Sequence, residues 1–206
     1  MDCGCEANAD SLAQRRVLSI ALGLNATMFV VGLLAGLAAQ STGLIADSLD
    51  MFADATAYGI ALIASRRGPR FKARAATWSG LMLLVLGSGV LCDVVRRYAT
   101  GSAPESRIMM AVASLSLAVN ATVLDLLGKH RDEGVHLRAT WIFTRADVVA
   151  NLAVIASGLT ILLTGFRLAD LIIGAAIGLY VIREALEILR GARRATEEPV
   201  IAPRVD

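Results

Sequence analysis

Residues 17–39 read VLSIALGLNATMFVVGLLAGLAA, a run without a charged side chain. As a helix this stretch is long enough to cross the roughly 30 Å hydrocarbon core of a bilayer. Working outward, windows of comparable apolar density recur at residues 43–65, 78–95, 108–127, 139–163 and 168–189. Composition agrees: 56 % of the 206 residues are hydrophobic and 18 % charged, displaced toward lipid from the roughly 45–50 % and 25 % of soluble domains. The mean hydropathy is +0.62. The sequence therefore predicts an all-α, polytopic membrane protein with six transmembrane helices.

Charge between the spans sets the orientation. Fourteen Arg and Lys residues fall before the first span, after the sixth and in the second and fourth connections, against four (Arg96, Arg97, Arg107 and Arg167) in the others. The positive-inside rule then places both termini in the cytoplasm. This divides the chain into a cytoplasmic N-terminal tail at 1–16, a six-span transmembrane domain at 17–190 and a short cytoplasmic tail at 191–206. The N-terminal tail carries Asp2, Glu6, Asp10, Arg15 and Arg16 and does not read as a removable signal peptide. Three cysteines, Cys3, Cys5 and Cys92, are too few for a disulfide framework.

Several function classes drop out. The basic residues form no stripe and are not interleaved with aromatics, so nucleic acid is not an expected partner. Ser88 has no histidine in any span to activate it, which argues against an intramembrane enzyme. No prosthetic group is expected. The Arg-to-Lys ratio points to a GC-rich bacterial genome, hence to a multi-pass protein of a bacterial inner membrane.

Acids inside the spans carry the chemistry. Asp47, Asp50 and Asp54 occupy one face of the second span. Around a helix, Asp50 and Asp54 are separated by about 40° and Asp47 and Asp50 by about 60°. Each buried carboxylate costs about 2.5–3.5 kcal/mol near the bilayer centre, so the set demands compensation. The fifth span adds Asp147, with Asn151 four residues on and on the same face. Rise arithmetic puts Asp54 and Asp147 at similar depths, roughly 16 and 12 Å from the cytoplasmic ends of their spans. A divalent cation between the second and fifth spans would satisfy Asp50, Asp54 and Asp147 together, whereas mere packing has no need of acid at all three positions. Asp47 lies nearer the outer end, where a gate or a helix contact is as good a reading as ligation.

Other polar residues receive plainer readings. Asn25 and Asn120 are expected to hydrogen-bond across helices, and Leu24-Asn25-Ala26-Thr27 resembles Val119-Asn120-Ala121-Thr122 at an offset close to that between Ala53-Asp54 and Ala146-Asp147. Such matches fit two inverted three-span halves. Asp93, Asp125 and Asp170 sit near span ends and read as interfacial. Arg145 reads as snorkelling to headgroups or pairing with Asp125. Arg183 and Glu187 read as a solvated extension of the sixth span, Cys92 as a small packing residue, and His130 and His136 as loop residues.

The residues resemble those of the cation diffusion facilitators, which export divalent metals in exchange for protons. The likeness rests on Leu24-Asn25 with Gly32, on the segment from Leu44 through Ile45, Ala46, Asp47, Ser48, Leu49, Asp50, Met51, Phe52 and Ala53 to Asp54, and on His136-Leu137-Arg138-Ala139 leading to Asp147. The resemblance implies Asp50, Asp54 and Asp147 as metal ligands. At the family's fourth ligand position stands Phe143, which has no donor atom, leaving water or Asn151 to complete the shell. An all-oxygen shell suits Mn²⁺ or Fe²⁺, whereas the Cys3-Gly4-Cys5 pair, read as a capture point, favours Zn²⁺, Co²⁺ or Cd²⁺. The family's cytoplasmic dimerisation domain has no counterpart in the short stretch after Arg190, so a homodimer would form through membrane helices. The expected partners are thus the lipid bilayer, a divalent metal ion and protons. The competing expectation, motivated by Phe143 and the short tail, is a non-transporting regulatory or partner subunit.

Overall fold

The computed structural model describes residues 3–64, 69–128 and 135–197. Six helices follow one another: α1 (Cys3–Ala38), α2 (Thr42–Ala64), α3 (Pro69–Thr100), α4 (Ser106–Gly128), α5 (Val135–Thr164) and α6 (Leu168–Glu197). The described residues contain no strand. Helix continues beyond the lipid-sized windows at several ends. Residues 3–16, expected as a tail, belong to α1, and residues 190–197 belong to α6. The apolar run ends where charge begins, but a helix hydrogen-bonds its own backbone and needs no lipid to continue.

Among the described residues, four segments are long and apolar enough to cross a membrane: Arg15–Ala38, Ala73–Thr100, Ser106–Leu127 and Ala146–Thr164. Helices α2 and α6 fall short of that standard because they carry charge: Asp47, Asp50 and Asp54 on α2, and Asp170, Arg183 and Glu184 on α6.

The exterior is apolar and polar side chains collect inside, unlike a soluble domain. Val85 is 70 % exposed and Leu163 73 %, while Asn25, Asn120 and Asn151 are fully enclosed. With lipid as solvent, polar groups gain only by turning inward toward one another.

Helix α2 lies at the centre and touches all five others, and α3 with α6, α1 with α2 and α4 with α5 form the broadest contacts. Small residues set the separations. A Cβ on Gly36 would stand 2.9 Å from the Ile45 backbone nitrogen, and one on Gly174 would stand 2.8 Å from the Thr42 carbonyl carbon. Backbones this close need glycine between them.

At one end three connections lock together. The Glu105 amide donates to the Ala39 carbonyl at 2.9 Å, Arg167 donates to the Ser102 carbonyl at 3.2 Å, and Arg97, paired with Asp93, donates to the Gln40 carbonyl. Gln40 adopts a left-handed φ of 51° in the α1–α2 turn.

Asp170 corrects the interfacial expectation. It is fully buried and caps α2 from the first turn of α6. One oxygen accepts from the Ser41 hydroxyl at 2.6 Å and the Gly43 amide at 3.0 Å, the other from the Thr42 amide at 2.7 Å and its hydroxyl at 2.9 Å. The first amides of a helix have no partner within it and carry partial positive charge, so a carboxylate is the acceptor they suit best. Asp93 pairs with Arg96 and Arg97 as an interfacial group would, and Asp125 is exposed. Cys92 is also exposed and does not fill a packing position.

Candidate functional site

The acid face of α2 turns into the bundle. Asp47 and Asp50 are buried, Asp54 is half-buried, and the α5 residue Asp147 is buried opposite them. Spacing explains the shared face: residues 47, 50, 54 and 58 advance by three or four, one turn each. Tyr58 closes the series, donating its hydroxyl to Asp54 Oδ2 at 3.3 Å.

The carboxyl groups meet in a chain. Asp54 lies within hydrogen-bonding reach of Asp147, Asp147 of Asp50, and Asp50 of Glu184 on α6. A carboxylate is purely an acceptor once ionised, so two carboxyls come this close only with a proton or a cation between them. Asp147 Oδ2 and Glu184 Oε2 are buried and meet no donor from a hydroxyl, an amide or the backbone. The cluster is thus rich in acceptors and short of positive charge. In this conformation no group of three or more Asp, Glu, His or Cys side chains among the described residues is set around one point as a metal shell. The contacts run in sequence, Asp54 to Asp147 to Asp50 to Glu184, and do not surround a common centre.

A second polar layer lies beside the first. Asn151 donates to Asp47 Oδ1 and accepts from the Asn120 amide at 3.0 Å, joining α2, α4 and α5, and Ser116 of α4 lies close to Asp47. Asp47 therefore makes a helix contact. Both ends of the Asn151 amide are engaged here, Nδ2 by Asp47 and Oδ1 by Asn120. Asn120 hydrogen-bonds across helices as expected. Asn25 does not: its amide donates to the Ala21 carbonyl of its own helix at 3.0 Å, and its Oδ1 is buried without a partner. The side chains of Cys3, Cys5, His130, His136, Phe143 and Arg145 lie outside the described residues.

Glu184 is the residue the sequence reading passed over. Arg183 and Glu187 do form the expected exposed pair, at 3.0 Å. One position further along, Glu184 points inward with Ile177, Val181 and Ala185, which are buried. Its register on that apolar stripe, three after Val181 and seven after Ile177, is a signal the sequence contains. A cavity of about 130 Å³ lined by Asp54, Tyr58, Glu184, Glu187 and Ile188 lies beside the cluster, between the C-terminal halves of α2 and α6.

Comparison with known proteins agrees with this architecture. Residues 18–195 match the cation efflux transmembrane domain. The chain is 27 % identical over 197 residues to the metal cation efflux system protein CzcD of Cupriavidus metallidurans, covering 90 % of this chain and 62 % of that protein. It is 29 % identical over 188 residues to the zinc transporter ZitB of Escherichia coli, covering 85 % and 60 %. Its identity to ZitB of Pectobacterium atrosepticum is 26 % over 196 residues, covering 89 % and 61 %. The chain thus spans about three fifths of the length of these relatives. With a polytopic helical bundle, buried acids at its centre and a family match across nearly its whole length, the chain is a member of the cation diffusion facilitator family through its cation efflux transmembrane domain.

Proposed function

We propose that the chain is a divalent metal cation transporter of the cell membrane. It exports metal from the cytoplasm in exchange for protons, through a carboxylate site between α2 and α5. The observation that carries this reading is the contact chain of Asp54, Asp147 and Asp50 with an acceptor oxygen of Asp147 left undonated in the interior. Such a cluster needs positive charge and takes it as protons or as a cation. A divalent ion enters by displacing protons, and protons entering from the other side release the ion, which couples the two flows.

In this reading all six helices span the membrane, residues 17–190 form the transmembrane domain, and both termini face the cytoplasm. The charge asymmetry between connections supports that orientation. The cavity beside Asp54 and Glu187 then opens on the cytoplasmic side, where cargo enters, and the Asp170 cap lies at the outer end. The relatives' names include a metal cation efflux protein and zinc transporters, and the ions to test as cargo are Zn²⁺, Co²⁺, Cd²⁺, Fe²⁺ and Mn²⁺. The cation is cargo, and the reading needs no prosthetic group.

Proteoliposomes loaded with a pH dye test it. Metal flux accompanied by counterflow of protons, lost in Asp54→Ala and Asp147→Ala, is the expected result. Metal flux with no pH response removes antiport, and absence of any saturable flux from folded protein removes the transporter reading.

A further inference from the structure

The geometry points to Glu184 as a fourth carboxylate of the transported cation's site, supplying from α6 the donor that Phe143 does not supply from α5. This rests on the transporter reading above and goes beyond it by adding a third helix to the site and fixing the class of cargo. The ligand set in the cation-bound state becomes Asp50 and Asp54 from α2, Asp147 from α5 and Glu184 from α6, and binding requires the present chain of contacts to close around the ion.

Three observations carry it. Glu184 lies within hydrogen-bonding reach of Asp50, at the end of the carboxyl chain. Its Oε2 is buried with no hydroxyl, amide or backbone donor, as is Oδ2 of Asp147, a residue only 5 % exposed. It also lines, with Asp54, the cavity beside the cluster. A glutamate there for packing alone would need a donor for its inner oxygen. Arg183, the adjacent cation, points outward to Glu187 and does not supply one.

Four carboxylates and no nitrogen or sulfur make a hard, strongly anionic shell. Such a shell ranks Mn²⁺ and Fe²⁺ higher against Zn²⁺ and Cd²⁺ than an imidazole-containing one does. The cargo class is therefore an oxygen-preferring divalent cation. Because α6 pairs broadly with α3, a cation bridging α2, α5 and α6 also ties the α3–α6 pair to the rest of the bundle.

The test uses the full chain, purified and reconstituted, with Mn²⁺ and Zn²⁺ titrated separately by calorimetry and flux measured in parallel. Glu184→Gln keeps size and hydrogen bonding but removes the charge. It is expected to weaken Mn²⁺ binding by at least the roughly 10- to 100-fold that losing even an outer-shell partner costs. Glu184→His should raise the Zn²⁺-to-Mn²⁺ affinity ratio, and Glu184→Asp should retain the wild-type ratio. Wild-type affinities and ratio in Glu184→Gln and Glu184→His overturn the inference. If Glu184→Gln is not monodisperse, the His and Asp variants decide by the same ratio. Flux lost in Asp54→Ala but untouched at position 184 sinks this inference and leaves the transporter reading standing, whereas wild-type protein with no metal flux sinks both.

Discussion

The carboxylate of Asp170 receives the backbone amide of Thr42 at 2.7 Å across 128 residues of sequence. It fastens the start of the site-bearing helix α2 to the start of α6, and it does so with both oxygens engaged.

Removing that acceptor leaves the Thr42 and Gly43 amides and the Ser41 hydroxyl without it in an enclosed place. Asp170→Ala should cost about 1–3 kcal/mol, the range for a lost cap or a buried charged hydrogen bond. Asp170→Asn should cost less. Thermal unfolding in detergent measures both, and a melting temperature unchanged in the alanine variant would show that the cap contributes nothing.

Asn151 braces Asp47 against Asn120. Asn151→Ala strands two buried polar groups and should lower stability by about 1–3 kcal/mol. Metal affinity in the folded variant should stay at the wild-type value. A large affinity loss with unaltered stability would return Asn151 to the ligand shell.

Cation and protons compete for the same oxygens, so the sign of the pH effect is fixed. Lowering pH favours the protonated carboxyls and weakens metal binding; raising it strengthens binding by up to about tenfold per pH unit for each proton displaced. Adding Mn²⁺ to weakly buffered protein should release protons in proportion to metal bound. Binding with no proton release and no pH dependence would contradict displacement.

Helix approach at Gly174 leaves no room for a side chain, since the added Cβ would meet Thr42 at 2.8 Å. Gly174→Ala should destabilise by about 1–3 kcal/mol, as overpacking does. Gly191→Ala, where nothing stands within 4 Å, should not. Equal melting temperatures for the two variants would show that the α2–α6 contact relaxes freely.

The membrane-embedded class of this fold was legible because lipid demands long apolar runs, and those runs need no knowledge of neighbours. The acid face of α2 was legible for a similar reason: three- and four-residue steps place Asp47, Asp50 and Asp54 on one side of any helix. Partners across helices were not. Asp170 sits near the start of its span, where solvent or headgroups are the default neighbours, yet its partner Ser41 lies 129 positions away in the chain, and no local pattern announces that meeting. Asn151 shares a face with Asp147, but whether it meets an ion or Asp47 depends on how α4 and α2 sit against α5. Glu184 was obscured by its neighbours, since Arg183 and Glu187 made the whole turn look solvated although one residue rotates the side chain by about 100°.

Held at its first turn by Asp170, α2 is anchored at one end. With a rise of about 1.5 Å per residue, Asp50 lies roughly 12 Å from that pivot and Ala64 roughly 33 Å, so a tilt of about 10° shifts the former by about 2 Å and the latter by about 6 Å. Any tilt about that end would therefore carry the far tip nearly three times as far as the acids.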